Sequence, residues 1–460
     1  MIESKERILA REIAGRVAAQ GGRVYYVGGC VRDALRGEET KDIDIEVHGV
    51  TPEVLENILG EFGEVLTVGR SFGVFGLKGA SLDIAMPRME EATGRGHRDF
   101  RVFVDPSLPP EKAAKRRDFT VNAIMEDVLT HEIVDPYHGR EDMEKKVLRH
   151  VSTDSFPEDP LRVLRGAQFS ARFGYRVASE TLSLFSEMDL STLPKERVFG
   201  ETEKALLKAK TPSVFFSVLR ETNQLGDWFP ECKSMIGVEQ NPLHHAEGDV
   251  WNHTMLVLDE TAALREKAVN PIGIMLAALV HDFGKITTTE FVNGEIHSYG
   301  HETAGLPLAE AFVKRLSGET ALLRYILSMT ELHMRPNIVA GANASVKSTN
   351  RLFDESVEPG DLILLSEADS KGSFGLKRDE YHTPFLTERL EVYREIMSRP
   401  FVTGKDLLEN GIPSGKDFAE ILAYAHKLRL AGIDYPCALK QTVSFAKKLR
   451  KENRGATGRS

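Results

Sequence analysis

Two aspartates, one residue apart, carry the first chemistry this sequence offers. If residues 41–47 (KDIDIEV) form a strand, Asp42 and Asp44 share one face while Ile43, Ile45 and Val47 face a core. Carboxylates about 7 Å apart at their bases can converge on divalent cations, as two-metal phosphoryl transfer requires. An edge strand with acids on its wet face would give the same pattern. Just upstream, residues 27–33 (VGGCVRD) put Gly28 and Gly29 between an apolar run and a helical pattern. Glycines there let backbone approach a ligand, and a helix's first turn offers unpaired N–H groups to phosphate. Arg32 sits where it can add a charge-assisted bond. A Gly-Gly step between strand and helix is more often only a turn. Its order with Arg-Asp and the acid pair, within about twenty residues, favours one shared site.

A second pattern lies at residues 158–162 (EDPLR), where Asp159 and Arg162 are three apart on one helix face. Cytosine and adenine both present an amino donor beside a ring-nitrogen acceptor, which a carboxylate and a guanidinium complement. Uracil and guanine present a carbonyl and a ring N–H, so both contacts mismatch. The alternative is a surface i,i+3 ion pair of about 0.5 kcal/mol.

The elements that must position these groups follow from periodicity. An amphipathic opening helix leads to a strand at residues 23–27, a helix ending near Gly37, and a strictly alternating strand at 42–47. To about His150 the chain reads as a mixed sheet with helices. Residues 87–110, punctuated by Pro87, Gly94, Gly96, Pro106, Pro109 and Pro110, read as a long mobile loop. From Pro157 helical periodicity dominates, with a seam of Pro, Gly and Asn at residues 230–242. The expected fold class is α+β: residues 1–150 a mixed sheet with helices, 151–235 a helical segment, 236–400 an all-α domain, 401–460 a helical segment with a basic tail. That tail, residues 440–460, holds seven Lys/Arg against one acid, as a frayed terminus or a polyanion contact would.

Composition narrows the class. At 460 residues, 41% apolar and 28% charged, the chain has material for about three domains. The longest apolar run, residues 272–280, falls short of the ~20 residues of a membrane helix, and the mixed-charge N-terminus is not a secretory signal. Cys30, Cys232 and Cys437 form no CxxC pair, which excludes a disulfide framework or zinc ribbon and fits a reducing cytoplasm. The net charge of −10 argues against a blanket nucleic-acid coat but leaves room for a local basic groove.

GGCVRD (28–33), the DID pair, RRDFTVNA (116–123), DPYHGREDM (135–143) and EDPLRVLR (158–165) occur in that order. Together they resemble the class II tRNA nucleotidyltransferases, the CCA-adding enzymes and bacterial poly(A) polymerases, over roughly residues 20–230. The resemblance implies that residues 1–150 are a catalytic, DNA polymerase beta-like head with a mixed sheet, and residues 151–235 a neck and body. It also implies Mg2+ at catalytic Asp42 and Asp44, and nucleotide contacts from Gly29, Arg32, Arg117, Asp159, Arg162 and Arg165. Asp83 would stand as a third carboxylate and Asp118 near a ribose hydroxyl. The implied partners are tRNA, CTP and ATP, with no membrane; the chain would act as a monomer or homodimer. Residues 89–111 match the flexible loop of complete CCA- or A-adding enzymes. Gln168 stands where relatives often have arginine, and Lys195, Glu196, Arg197 and Glu201 fit the last head-and-neck motif.

Past the seam, His281-Asp282 ends an apolar run and precedes FGK. With His253 and Asp369 this resembles the HD phosphohydrolase superfamily, which implies a divalent metal such as Mg2+ or Ni2+. His301 and His333 sit where some HD proteins recruit a second ion, Glu367 competes with Asp369, and His244 and His245 read as loop residues. The combination resembles multifunctional CCA-adding enzymes, whose HD domain hydrolyses 2′,3′-cyclic phosphates, 2′-nucleotides and phosphate esters. Rival expectations are a poly(A) polymerase, an A-adding enzyme and a non-catalytic tRNA scaffold.

Overall fold

The computed structural model describes residues 4–38, 42–69, 73–92, 100–374 and 382–457. The chain divides into two compact units, Met1–Ala205 with Val214–Asp227, and Leu206–Ser213 with Trp228–Ser460.

The first unit is built on a seven-stranded mixed sheet of order β3-β4-β5-β2-β1-β8-β9. Its strands are β1 (Arg23–Val27), β2 (Ile43–His48), β3 (Val65–Gly69), β4 (Val74–Leu77), β5 (Leu82–Ala85), β8 (Met125–Asp127) and β9 (Ile133–Val134). The alternation read in the sequence holds: Ile43, Ile45 and Val47 are buried against α1 (Lys5–Ala19) and α3 (Pro52–Gly60), in a core with Ile13, Leu55 and Ile84. α2 (Gly29–Leu35) follows β1 directly. The other face of β2 is open only at its start, because Glu46 and His48 are also buried. The helix Leu161–Phe173, amphipathic by its buried Val163, Leu164 and Ala167, belongs to this same unit.

Residues 88–104 are not wholly a loop: β6 (Arg88–Ala92) and β7 (Phe100–Val104) pair antiparallel from Arg88↔Val104 to Ala92↔Phe100. The alternation Phe100, Val102, Val104 supplies a period of two, and Pro87, Pro106, Pro109 and Pro110 lie outside this ladder rather than within it. Residues 93–99 of that stretch lie outside the described residues.

The second unit is helical. The apolar run becomes Pro271–Val280, a core helix buried from Gly273 to Val280 and packed on Val250–Leu264 and Thr320–Leu332. Asn270 caps it by accepting from the Gly273 N–H at 3.0 Å. A hairpin of β12 (Glu290–Val292) and β13 (Glu295–His297) interrupts the helices, turning through Asn293 and Gly294, both at positive φ. Residues from Val402 to Ala446 form a small core of their own around Leu407, Ile421 and Ala438. No described helix is long and apolar enough to cross a membrane.

Candidate functional site

In the first unit, the site is assembled at the end of β1 and start of β2. Gly28 has φ +70° and ψ −132°, a conformation that a side chain would strain. A Cβ there would meet the Arg117 guanidinium at 3.2 Å and Asp44 Oδ2 at 3.7 Å. Gly28 is thus the gap across which a carboxylate and a guanidinium converge. The parallel β2–β5 pairing sets Asp44 opposite Asp83. Burial raises the Asp44 carboxyl pKa, Asp83 and Asp42 raise it further, and Arg117 opposes them. A divalent cation would relieve that like-charge crowding, so the donor set fits one.

Sequence reasoning missed the residue that holds the arginines. Glu46, two residues after Asp44 on the same face, is 1% exposed. Its Oε2 accepts from Arg116 at 3.0 Å and Arg117 at 3.4 Å, and its Oε1 lies 3.1 Å from His48 Nε2. Burial would raise its pKa, but His48, Arg117 and Arg116 outweigh that and lower it to about 2. The alternation that singled out Asp42 and Asp44 already put Glu46 on their face.

The remaining head candidates are distributed unevenly. Gly29 opens α2, and Arg32 in the same helix is buried, donating to Asp33 at 2.8 Å and Asn122 at 2.7 Å with Phe173 against its guanidinium. Asp159 and Arg162 do not pair with each other through their side chains. Asp159 meets Arg197 at 2.8 Å, while Arg162 donates to the Ser155 and Arg116 carbonyls at 2.5 and 2.7 Å. Arg165 binds Asp118 through Nε at 2.8 Å, and Asp118 also accepts from Asn122 and the Phe119 N–H. Asp118 is buried in that network. Gln168 is fully buried, with its carboxamide against the Arg172 guanidinium.

The second unit holds a tighter cluster. Three groups of side chains have ligand atoms within 4.8 Å of one another: His253, His281 and Asp369; Asp282, His301 and His333; and His245, Glu247 and His253. Asp42 and Asp44 form no such group, so among the described residues the compact donor sets lie here. His253 Nε2 stands 3.4 Å from His281 Nε2 and 3.0 Å from Asp369 Oδ1. His301 Nε2 stands 3.3 Å from His333 Nε2 and 3.3 Å from Asp282 Oδ1, while Asp282 Oδ2 lies 3.2 Å from His281. One carboxylate therefore spans two imidazole pairs.

Every ring is oriented from behind. Nδ1 of His281, His301 and His333 meets the carbonyl of Ala278, Ser298 and Thr330 respectively at 2.7–2.8 Å. Nδ1 of His253 meets Glu247 Oε1 at 3.0 Å. Held so, each Nε2 faces the cluster, the ring orientation a metal ligand needs. Burial depresses the His333 pKa to about 3, with His281 adding to it. For His253 burial works the same way, but Asp369 and Glu247 reverse it and raise the pKa to about 9. Four imidazoles packed around two acids make a donor set that fits a divalent metal as well.

Local sequence explains the placement. His281 and Asp282 end the core helix Pro271–Val280, and Gly284 lets His301 approach, since a Cβ there would stand 1.9 Å from the His301 carbonyl oxygen. Lys285 reaches back to Asp282 Oδ2 at 2.7 Å and Gln240 at 2.8 Å. His244 and His245 do lie in a loop, yet both line the cavity, and His245 meets Glu247 at 2.8 Å. Glu367 does not compete with Asp369: it pairs with Lys371 and Thr383. Neither role of Glu247 carries a sequence signal beyond its nearness to His245.

Residues 24–149 match the family model described as Poly A polymerase head domain. The chain is 37% identical over 370 residues to the Multifunctional CCA protein of Actinobacillus pleuropneumoniae serotype 5b (strain L20), covering 78% of this chain and 88% of that relative. The chain belongs to the multifunctional CCA protein family. A member from Alkalilimnicola ehrlichii is 35% identical over 428 residues, covering 90% of this chain and 98% of its own. The Thermotoga maritima CCA-adding enzyme complexed with tRNA shares the fold, with a TM-score of 0.65, 21% identity and 96% of each chain covered. Family membership spans both units, because the Alkalilimnicola alignment takes in nine-tenths of the chain.

Proposed function

We infer that this protein adds CCA to the 3′ end of tRNA from CTP and ATP, without a nucleic-acid template, in the cytoplasm. The observation that carries the reading is the meeting of Asp44 and Arg117 across Gly28, inside a family of CCA proteins. The 3′-hydroxyl oxygen bonds to the α-phosphorus, the α–β anhydride breaks, and pyrophosphate leaves. Asp42 and Asp44 hold divalent metal, Mg2+ by preference, which when bound supplies a more acidic hydroxyl and neutralises the departing charge. Arg117, anchored by Glu46, meets the phosphates across Gly28, where no side chain intervenes. Asp159 and Arg162 read the base edge; Asp159 exchanges Arg197 for the base amino group as the nucleotide arrives. The test is a tRNA lacking its last three nucleotides, incubated with each NTP in turn and the product sized. A product ladder with ATP alone marks a poly(A) polymerase. Extension only of tRNA ending in CC marks an A-adding enzyme.

A second activity is supported by the histidine cluster. His253, His281, Asp282 and Asp369 suit one divalent ion, with Asp282, His301 and His333 suited to a second. Such ions supply an acidified water, and the site hydrolyses phosphate esters, 2′,3′-cyclic phosphates and 2′-nucleotides. The Lys285 ammonium, beside Asp282 at the cavity wall, binds the substrate's phosphate oxygens. Equilibrium dialysis against Ni2+ or Mn2+ tests the donor set, with His333→Ala expected to remove one of two ions from this unit.

A further inference from the structure

The cavity over the histidine cluster has a rim that phosphate chemistry does not require. The cavity encloses about 750 Å3, and its wall carries Asp282, His301 and Lys285. Those groups suffice for a phosphate and its metal. Yet the same cavity is also lined by Tyr299, Ile338 and Met334, which are 72%, 61% and 37% exposed. Single apolar side chains on a surface are ordinary. Three of them around one cavity present apolar area next to an anion site, which suits a ligand with a flat apolar part and an anionic end.

Tyr299 is also fixed in orientation. Its ring stacks on His297 with centroids 4.9 Å apart and planes 11° apart. His297 ends β13 and is registered against Glu290, while Ser298 bonds to Thr289 at 2.8 Å, tying the segment to the hairpin base. One Tyr299 face is thus backed and its exposure leaves surface for a partner. Tyr299 lies two residues before His301, so their Cα atoms are within about 7 Å, a span that a nucleoside covers between base and phosphate.

We propose that Tyr299, backed by His297, is a stacking platform for a nucleobase, so that this cavity selects nucleoside phosphates over phosphate esters without a base. The proposal rests on the phosphohydrolase reading for its catalytic arm, and a binding arm is independent of that reading. In the full-length, Ni2+-loaded protein, kcat/KM is compared for 2′-AMP and for β-glycerophosphate. Tyr299→Ala should lower the ratio of the two by about 5- to 150-fold, through KM. Tyr299→Phe should restore the ratio, which a merely structural tyrosine on an exposed rim would not separate from alanine. In the binding arm, the indole of Tyr299→Trp should be quenched on titration with 2′-AMP and unaffected by β-glycerophosphate. An unchanged ratio in Tyr299→Ala, or quenching that is absent or equal with both compounds, overturns the platform. Should neither compound be hydrolysed by the unaltered protein, the phosphohydrolase reading falls alone, and the quenching arm still decides the platform.

Discussion

Replacing Glu46 with glutamine removes one charge from the head while keeping its shape, and the structure fixes what should follow. Glu46 is 1% exposed and shared by Arg116, Arg117 and His48. Its pKa falls from 4.5 to about 2, a difference of about 2.5, worth about 3 kcal/mol at 1.36 kcal/mol per unit. Because the folded-state value is depressed, this stability is fully present above pH 4.5 and lost as pH falls toward 2. Both tryptophans, Trp228 and Trp251, sit in the second unit, so their fluorescence does not report the head. Amide hydrogen exchange within residues 43–48 does. At pH 7, Glu46→Gln should speed global-opening exchange there by roughly 100-fold or more, and the gap should close as pH drops from 4.5 toward 2. The Arg117 guanidinium also loses its anchor, so KM for CTP should rise by about tenfold, the worth of a charged hydrogen bond. Unchanged protection at pH 7 together with an unchanged KM would refute the claim that Glu46 positions the arginines.

Three further outcomes test the sites separately. Asp42→Asn should abolish CCA addition while leaving exchange protection of β1 and β5 intact; full addition by this variant would remove the acid pair from the chemistry. Asp159→Ala should weaken discrimination of CTP over UTP by about 5- to 150-fold, from the roughly 1–3 kcal/mol of one edge contact, read as the ratio of kcat/KM values. His281→Ala should eliminate hydrolysis of 2′,3′-cyclic AMP and leave CCA addition unchanged; loss of both would mean the two units do not work independently.

Several features were readable in the chain because they depend on local spacing. A period of two over residues 42–47 sorted Ile43, Ile45 and Val47 to the core, and the structure buries all three. Glycine at 28 marked a backbone no other residue adopts easily, and it is where Arg117 and Asp44 approach each other. The apolar stretch before His281 marked the core helix that holds it. The hairpin before Tyr299 carried a readable signal too, Asn293-Gly294 between alternating residues, which helical periodicity on either side obscured. The paired strands at 88–104 are masked in the sequence by the prolines that flank them.

The sequence by itself determined local features: which acids share a face of β2, where a glycine turn joins strand to helix, and which residue types could bind metal. Tertiary structure alone decided the partners. It gave Arg162 to two backbone carbonyls and Asp159 to Arg197, and gathered His253, Asp282, His301, His333 and Asp369 from five separate segments. It also set Glu247 behind His253 and Glu46 beneath two arginines. The physical reason is range. Side-chain direction within a strand or helix repeats every two or 3.6 residues and can be counted, whereas pairing across dozens of residues follows from how apolar faces pack.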